Sequence, residues 1–469
     1  MTDELRPPRK LRLWEALTLS VGLMGPTLAM ALNGAGVAAT VGKAVPLVFV
    51  LGLAGVALVA YGFVRLTRHF NHAGSVYALA GVTLGPKAGF FGGFALLGTY
   101  LFFTVCTLAA TAVFAEAFFT ALGLTWNVPW FLVTVVTAAG VWAVNSRESQ
   151  VTARTLLAVE GVGILGMLVL SAVVVARTGT GGGPAGQRLD LSVFTLDGTT
   201  GGAVMTATVF AFLSWAGFEA CASLGEETDD PRRNIPRALA GSVLLTGGLY
   251  VLVMFAQTIG FGTDAEGVKA FSGAESSLSA LAESYIGTWF SLVIAFTAMA
   301  SAFAATISSS AAASRLMFAL ARDGFGPRAL SRTHPRTGAP TVALLVALTA
   351  GLVGDLALNG SGVSAFDAYY WLATLGVLCL LVAYAVAASG VAAFIVSGRG
   401  QVPKYEIVVP LLAIAYLCYV FYEQSLSLFP WIAGAWCLAG LAAVLAVPGL
   451  ARRIGERLTA ELTREDVLS

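Results

Sequence analysis

The chain has 469 residues, of which 57% are hydrophobic and only 11% charged, against about 25% charged in soluble domains. With a mean hydropathy of +0.81 it lacks the polar residues that would cover a soluble core, which excludes a cytosolic enzyme, a disordered chain and a free nucleic-acid binder. A formal net charge of +1 gives no overall field for polyanions.

A membrane-spanning helix needs about 20 mainly apolar residues. Twelve runs meet that need: 14–38, 44–65, 90–120, 128–145, 151–176, 201–225, 238–262, 287–311, 340–358, 369–396, 405–421 and 429–450. The runs are continuous rather than alternating, so they predict helices, not barrel strands. The expected fold is an all-α integral membrane protein with twelve transmembrane helices. The polar, basic segment 1–13 leads straight into the first run and has no small-residue cleavage site, so an uncleaved first helix is expected. An N-terminus inside the cell leaves only Lys43, Arg177, Arg188 and Lys269 of the 27 Lys and Arg residues outside. The positive-inside rule therefore places both termini in the cytoplasm, at the plasma membrane.

In chain order, the first run contains Gly22-Leu23-Met24-Gly25-Pro26-Thr27. Pro26 removes a backbone donor and clashes with the preceding turn, about 16–18 Å into the span. Beyond the second run, 71–84 carries Val76, Leu79 and Ala80 at helical spacing and reads as a short cytoplasmic surface helix. In the third run Tyr100 and Thr104 share one face at mid-depth, whereas Glu116 lies near the outer end, where solvent reaches it. The fifth run holds Glu160 about 15 Å in; Arg154, near its inner end, reads as a snorkelling side chain. The loop 178–186 is glycine-rich and external.

The sixth run contains a second break, Ser214-Trp215-Ala216-Gly217-Phe218-Glu219. The charged segment 226–237 follows. It holds Glu226, Glu227, Asp229 and Asp230, then Arg232, Arg233 and Arg237, and reads either as a solvated loop or as a cytoplasmic latch that pairs with basic residues such as Arg65 and Arg68; the sequence does not decide. Segment 264–284 is longer and mixed, with room for a short external helix. Tyr369, Tyr370 and Trp371 open the tenth run, as an interfacial aromatic belt or an external gate.

Two broken helices in corresponding positions of two halves are the pattern of a transporter that binds substrate at the midplane. Unwound backbone is tolerated there only if a cavity or ligand satisfies it. The amides after Pro26 (Thr27, Leu28, Ala29) form a helix N-terminus suited to an anion. The carbonyls before Gly217 suit an ammonium. Candidate substrate-binding residues are Gly25, Pro26, Thr27, Leu28, Tyr100, Thr104, Ser214, Trp215, Gly217 and Phe218. Glu160 and Glu219, ionisable groups inside spans, are candidate proton-coupling residues. All five cysteines lie in apolar stretches without a CxxC pair, and no histidine falls in a run. No metal site, disulfide framework or cofactor is expected.

These residues resemble the amino acid–polyamine–organocation (APC) superfamily of permeases. The resemblance covers nearly the whole chain. It is carried by the broken first span; by Asn71-His72-Ala73-Gly74-Ser75-Val76-Tyr77 with Gly85-Pro86; by Ala216-Gly217-Phe218-Glu219 with Glu226-Glu227-Thr228 and Pro231; and by Ser314-Arg315-Leu316 with Ala321-Arg322-Asp323-Gly324 and Pro327. It implies a LeuT-like fold: a cytoplasmic tail 1–13, inverted five-helix repeats over 14–176 and 201–396, two further helices over 405–450 and a tail 451–469. It also implies secondary transport of amino acids or related amines by alternating access; with Glu160 and Glu219 inside spans, the expected function is proton-coupled import of an amino acid, amine or polyamine. Three positions depart from the family pattern. Met24-Gly25-Pro26-Thr27 replaces the usual Gly-Ser-Gly-type turn, which keeps polyamines and other organocations open beside α-amino acids. Glu160 falls near the position where sodium-independent relatives often carry a lysine. Asn71 replaces a common proline. A receptor that binds such ligands without moving them is the alternative function, and labelled-ligand uptake into proteoliposomes separates the two.

Overall fold

The computed structural model describes residues 12–69, 76–125, 127–146, 150–219, 222, 228–334, 338–398, 402–447 and 449–456. Its sixteen longer helices are α1 (Leu13–Leu23), α2 (Pro26–Val41), α3 (Val45–Leu66), α4 (Val76–Leu84), α5 (Pro86–Ala121), α6 (Trp130–Asn145), α7 (Gln150–Gly179), α8 (Gly201–Trp215), α9 (Pro231–Phe261), α10 (Ala265–Ser272), α11 (Ser277–Tyr285), α12 (Thr288–Arg322), α13 (Thr341–Gly360), α14 (Ala365–Val396), α15 (Val408–Glu423) and α16 (Phe429–Ala446). Among the described residues each of the twelve apolar runs contains an α-helix. Among the same residues ten spans are long and apolar enough to cross a membrane, the first being α1 and α2 together; α6 and α8 are shorter apolar helices.

The packing follows from composition. α5, Gly- and Ala-rich along its length, is the central helix and lies against α12 and α14. Small residues permit that close approach: a Cβ on Gly376 of α14 would lie 2.5 Å from Phe103 of α5. α15 and α16 pack at the edge, with Tyr422 and Trp431 exposed, as suits an apolar surface facing lipid.

The expected surface helix at 71–84 is corrected in part. Residues 71–75 lie outside the described residues. The remainder, α4, is not a surface element: Val76, Tyr77, Leu79 and Ala80 are buried. The reason is a glycine contact, since a Cβ on Gly89 of α5 would lie 2.7 Å from the Gly81 Cα. Of the charged segment 226–237, Glu226 and Glu227 lie outside the described residues, Asp229 and Asp230 are exposed, and 231–237 is corrected from loop to the start of α9, which Pro231 opens. Arg65 instead pairs with Glu406, which Tyr61 also donates to. The mixed segment between α9 and α12 contains two short helices, α10 and α11; the Asp264 side chain caps α10 by accepting from the Gly267 amide at 2.9 Å.

Candidate functional site: a cavity between two helix breaks

Both breaks read from the sequence are present. Between α1 and α2, Gly25 takes the left-handed conformation (φ 58°, ψ 58°) and Pro26 starts the new helix, the position where a missing amide costs nothing. After α8, Ala216 leaves helical geometry and Gly217 has φ 97°. The two breaks, with α5, α12 and α14, enclose a cavity of about 120 Å³. Its wall includes Leu28, Asn33, Tyr100, Gly217, Glu219 and Tyr369, and is otherwise mainly apolar. Among the described residues the wall holds no lysine, arginine or histidine.

Glu219 supplies the wall's charge. It is buried, its Oε2 accepts from the Tyr384 hydroxyl at 2.8 Å, and its Oε1 has no partner among the described residues. A buried carboxyl oxygen without a donor is costly unless a ligand or water supplies one.

At the other break the α2 amides are already taken. Glu160 of α7 reaches into the gap. Its Oε1 accepts from the Thr27 amide at 2.8 Å and the Thr27 hydroxyl at 2.9 Å. The Leu28 amide donates to Ser301 Oγ of α12 at 3.2 Å, and the Ala29 amide to the Gly25 carbonyl at 2.9 Å. The approach of α7 depends on Gly163, where a Cβ would lie 2.3 Å from Thr27 Oγ1.

On the side of the cavity toward the α2 C-terminus, polar groups close the space. The Tyr369 hydroxyl donates to Asn33 Oδ1 at 2.7 Å, Asn33 Nδ2 donates to Ser214 Oγ at 2.7 Å, and Ser214 donates to the Phe210 carbonyl at 2.9 Å. Tyr370 donates to the Leu32 carbonyl and accepts from the Gly36 amide at 3.1 Å. On the opposite side an aromatic group forms: Phe218 lies 5.7 Å from both Phe63 and Tyr384, between ring centroids.

Of the expected substrate residues, Leu28, Tyr100 and Gly217 line the cavity, and Glu219 joins them. Gly25, Pro26, Thr27 and Glu160 form the break beside it. Thr104 lies outside the lining, donating to the Tyr100 carbonyl at 2.8 Å and to Ser309 Oγ at 3.4 Å. Ser214 belongs to the polar closure. Trp215 turns away: it is fully buried, donates to Thr246 Oγ1 at 3.0 Å and packs 5.0 Å from the Tyr250 ring. Phe218 is likewise in packing. Sequence reasoning missed Asn33, a polar side chain four residues after Ala29 on the same helical face. It also missed Asp355 of α13, fully buried with neither carboxyl oxygen partnered among the described residues. An ionisable residue inside a span was signal enough for Asp355.

The model of one family, amino acid permease, matches residues 16–443. This chain belongs to the amino acid permease family. The chain is 31% identical over 392 residues to an uncharacterized transporter of Mycobacterium tuberculosis, covering 81% of each. It is 24% identical over 316 residues to the low-affinity putrescine importer PlaP of Escherichia coli, covering 67% of each. With the branched-chain amino acid permease BcaP of Bacillus subtilis it shares 24% identity over 355 residues, 71% of this chain and 72% of that one. Membership in the amino acid permease family agrees with the many long apolar helices.

Proposed function

We propose that this protein is a plasma-membrane secondary transporter that imports an amino acid, amine or polyamine by alternating access, coupled to protons. The proposed architecture has twelve crossing helices: inverted five-helix repeats over 14–176 and 201–396, two further helices over 405–450, and cytoplasmic tails 1–13 and 451–469. Family membership, the positive-inside distribution and the two breaks at the first helix of each half support this reading.

The observation that carries the binding half is Glu219. An ammonium group entering the cavity meets the Glu219 carboxyl, whose Oε1 has no hydrogen-bond partner within bonding distance among the described residues, in a wall where those residues include no lysine, arginine or histidine. The tyrosines and apolar wall suit the carbon body of such a substrate. About 120 Å³ is comparable with an engineered 150 Å³ cavity that holds benzene, which indicates a ligand of roughly six to eight heavy atoms. Putrescine, named for one relative, has six heavy atoms and falls in this range; the branched-chain amino acids named for another have eight or nine and lie at or just above its upper end.

Glu160 and Glu219 are the proposed coupling groups, one at each break. A proton drives transport only if two conformations bind it with different affinity, and a carboxyl bonded to the hinge between α1 and α2 meets that condition when the hinge moves. The test is uptake of radiolabelled putrescine and leucine into proteoliposomes under an imposed pH gradient. Wild type is expected to accumulate at least one of them, Glu219→Gln to lose binding, and Glu160→Gln to keep exchange but lose pH-driven accumulation. Accumulation by Glu160→Gln with wild-type pH dependence removes Glu160 from the coupling; absence of any uptake with retained binding favours a receptor.

A further inference from the structure

At the α2 N-terminus, beside the cavity, a substrate carboxylate would find aligned backbone donors. Those donors are spent. Pro26 has no amide hydrogen, the Thr27 amide and hydroxyl both donate to Glu160, the Leu28 amide donates to Ser301, and the Ala29 amide is within the helix. We propose that Glu160 is an internal occupant of the carboxylate seat, so that this protein selects amines without an α-carboxylate over the corresponding amino acids. The inference rests on the transport reading above and narrows its substrate class.

Three observations support it together. Glu160 is buried, so its carboxyl is a fixed part of the break and not a surface group that swings in by chance. Its contacts are paired on one residue: a single oxygen collects both Thr27 donors, which is how a ligand carboxylate would be held. A second carboxylate brought to the same turn would be a like charge at close range, which is unfavourable in a dry site. Nor does the rest of the wall offer relief, because among the described residues it holds no lysine, arginine or histidine and its own charged group is Glu219. A zwitterionic substrate would thus bury its carboxylate unpaired, which is strongly unfavourable. An amine of the same carbon skeleton loses nothing. Discrimination of this sort works by repulsion of the unwanted ligand as much as by attraction of the wanted one.

The test uses matched pairs differing only in the carboxylate: putrescine against ornithine, cadaverine against lysine, and isoamylamine against leucine. Affinities are measured by titration calorimetry on the purified full-length protein in lipid nanodiscs. Wild type is expected to bind the amine of at least one pair ten times or more tightly than its amino acid. Glu160→Gln, whose side-chain carbonyl still accepts from Thr27 but carries no charge, is expected to keep the amine preferred by a smaller factor, above threefold. Glu160→Ala empties the seat, and the preference is expected to fall below threefold through a gain in amino-acid affinity. Acetate is then expected to raise the melting temperature of Glu160→Ala and not of wild type. If Glu160→Ala does not yield folded protein, the wild-type pairs and Glu160→Gln decide. Wild type that binds ligands but prefers the amine in none of the three pairs overturns the inference and leaves the transport reading standing. Wild type that binds no member of any pair overturns the amine site at Glu219 and this inference with it.

Discussion

Asp355 offers a direct measure of what a buried, unpartnered carboxyl costs this fold. It lies in α13, fully buried, with neither oxygen bonded among the described residues. A buried polar group left without a partner costs about 1–3 kcal/mol. Leucine keeps the branched connectivity of aspartate but puts methyl groups where the smaller oxygens stood, so Asp355→Leu removes that cost and adds volume, and overpacking a filled site costs about 1–3 kcal/mol. The two terms are of similar size, so the melting temperature is expected to stay within about 4 °C of wild type by the scaling for large domains. Asp355→Asn keeps shape and volume but still buries a polar group, and is expected to differ from wild type by less. The assay is thermal unfolding of the purified protein at pH 7 in one detergent, followed by intrinsic fluorescence. A melting temperature lowered by about 8 °C or more in Asp355→Leu would refute the reasoning, because overpacking offset by the removed cost does not reach that loss and the carboxyl would then have a partner. Asp355 does not line the cavity, so substrate affinity in this variant is expected to stay within twofold of wild type.

Gly163→Ala drives a Cβ into Thr27 Oγ1 and is expected to destabilise the protein by about 1–3 kcal/mol and to abolish pH-driven accumulation; wild-type transport in this variant would sink the account of the α2 break. Tyr384→Phe removes the donor to Glu219 Oε2 and is expected to alter amine affinity at least threefold by calorimetry, whereas an unchanged affinity detaches Tyr384 from the site. Trp215→Phe forfeits the bond to Thr246 and is expected to lower the melting temperature with amine affinity changed less than twofold, since the ring faces away from the cavity. In the loop before α8, the Ser192 hydroxyl and amide hold the Asp190 carboxyl below its usual range. A depressed carboxyl contributes stability that is present above its unfolded value and is lost as pH falls through the folded one. Protease resistance of that loop is therefore expected to be flat between pH 5 and 8 in wild type and to weaken only in strong acid, and a midpoint near neutrality would contradict this.

The helices were legible because hydropathy and length dictate them in a membrane. The breaks were legible because Gly25-Pro26 and Gly217 are residues whose backbone chemistry forbids or avoids regular helix there. The depth of Glu160 and Glu219 followed from counting residues. What each group touches did not follow. Trp215 and Gly217 stand two residues apart, and because α8 ends at Trp215 the helical period no longer tells which one faces the cavity. Thr27 and Glu160 are 133 residues apart, and their bond exists only because Gly163 lets α7 come close. The burial of α4 likewise depends on Gly81 and Gly89 meeting, a pairing that no periodicity reveals. Asp355 was readable by the same rule that singled out Glu160, and stood unremarked within an apolar run.

The cavity has closures of opposite chemistry at its two ends. The Tyr369–Asn33–Ser214 chain is a closure of hydrogen bonds, and water can replace each of them at a net cost of about 0.5–1.5 kcal/mol. The Phe63–Phe218–Tyr384 group closes the other end largely with apolar surface, whose exposure carries a large positive heat-capacity change. Apolar closure weakens on cooling, whereas exchange of protein hydrogen bonds for water exposes little such surface. Access from the aromatic end therefore gains on access from the polar end as temperature falls, and the ratio of substrate entry to exit becomes a thermometer of which closure is limiting.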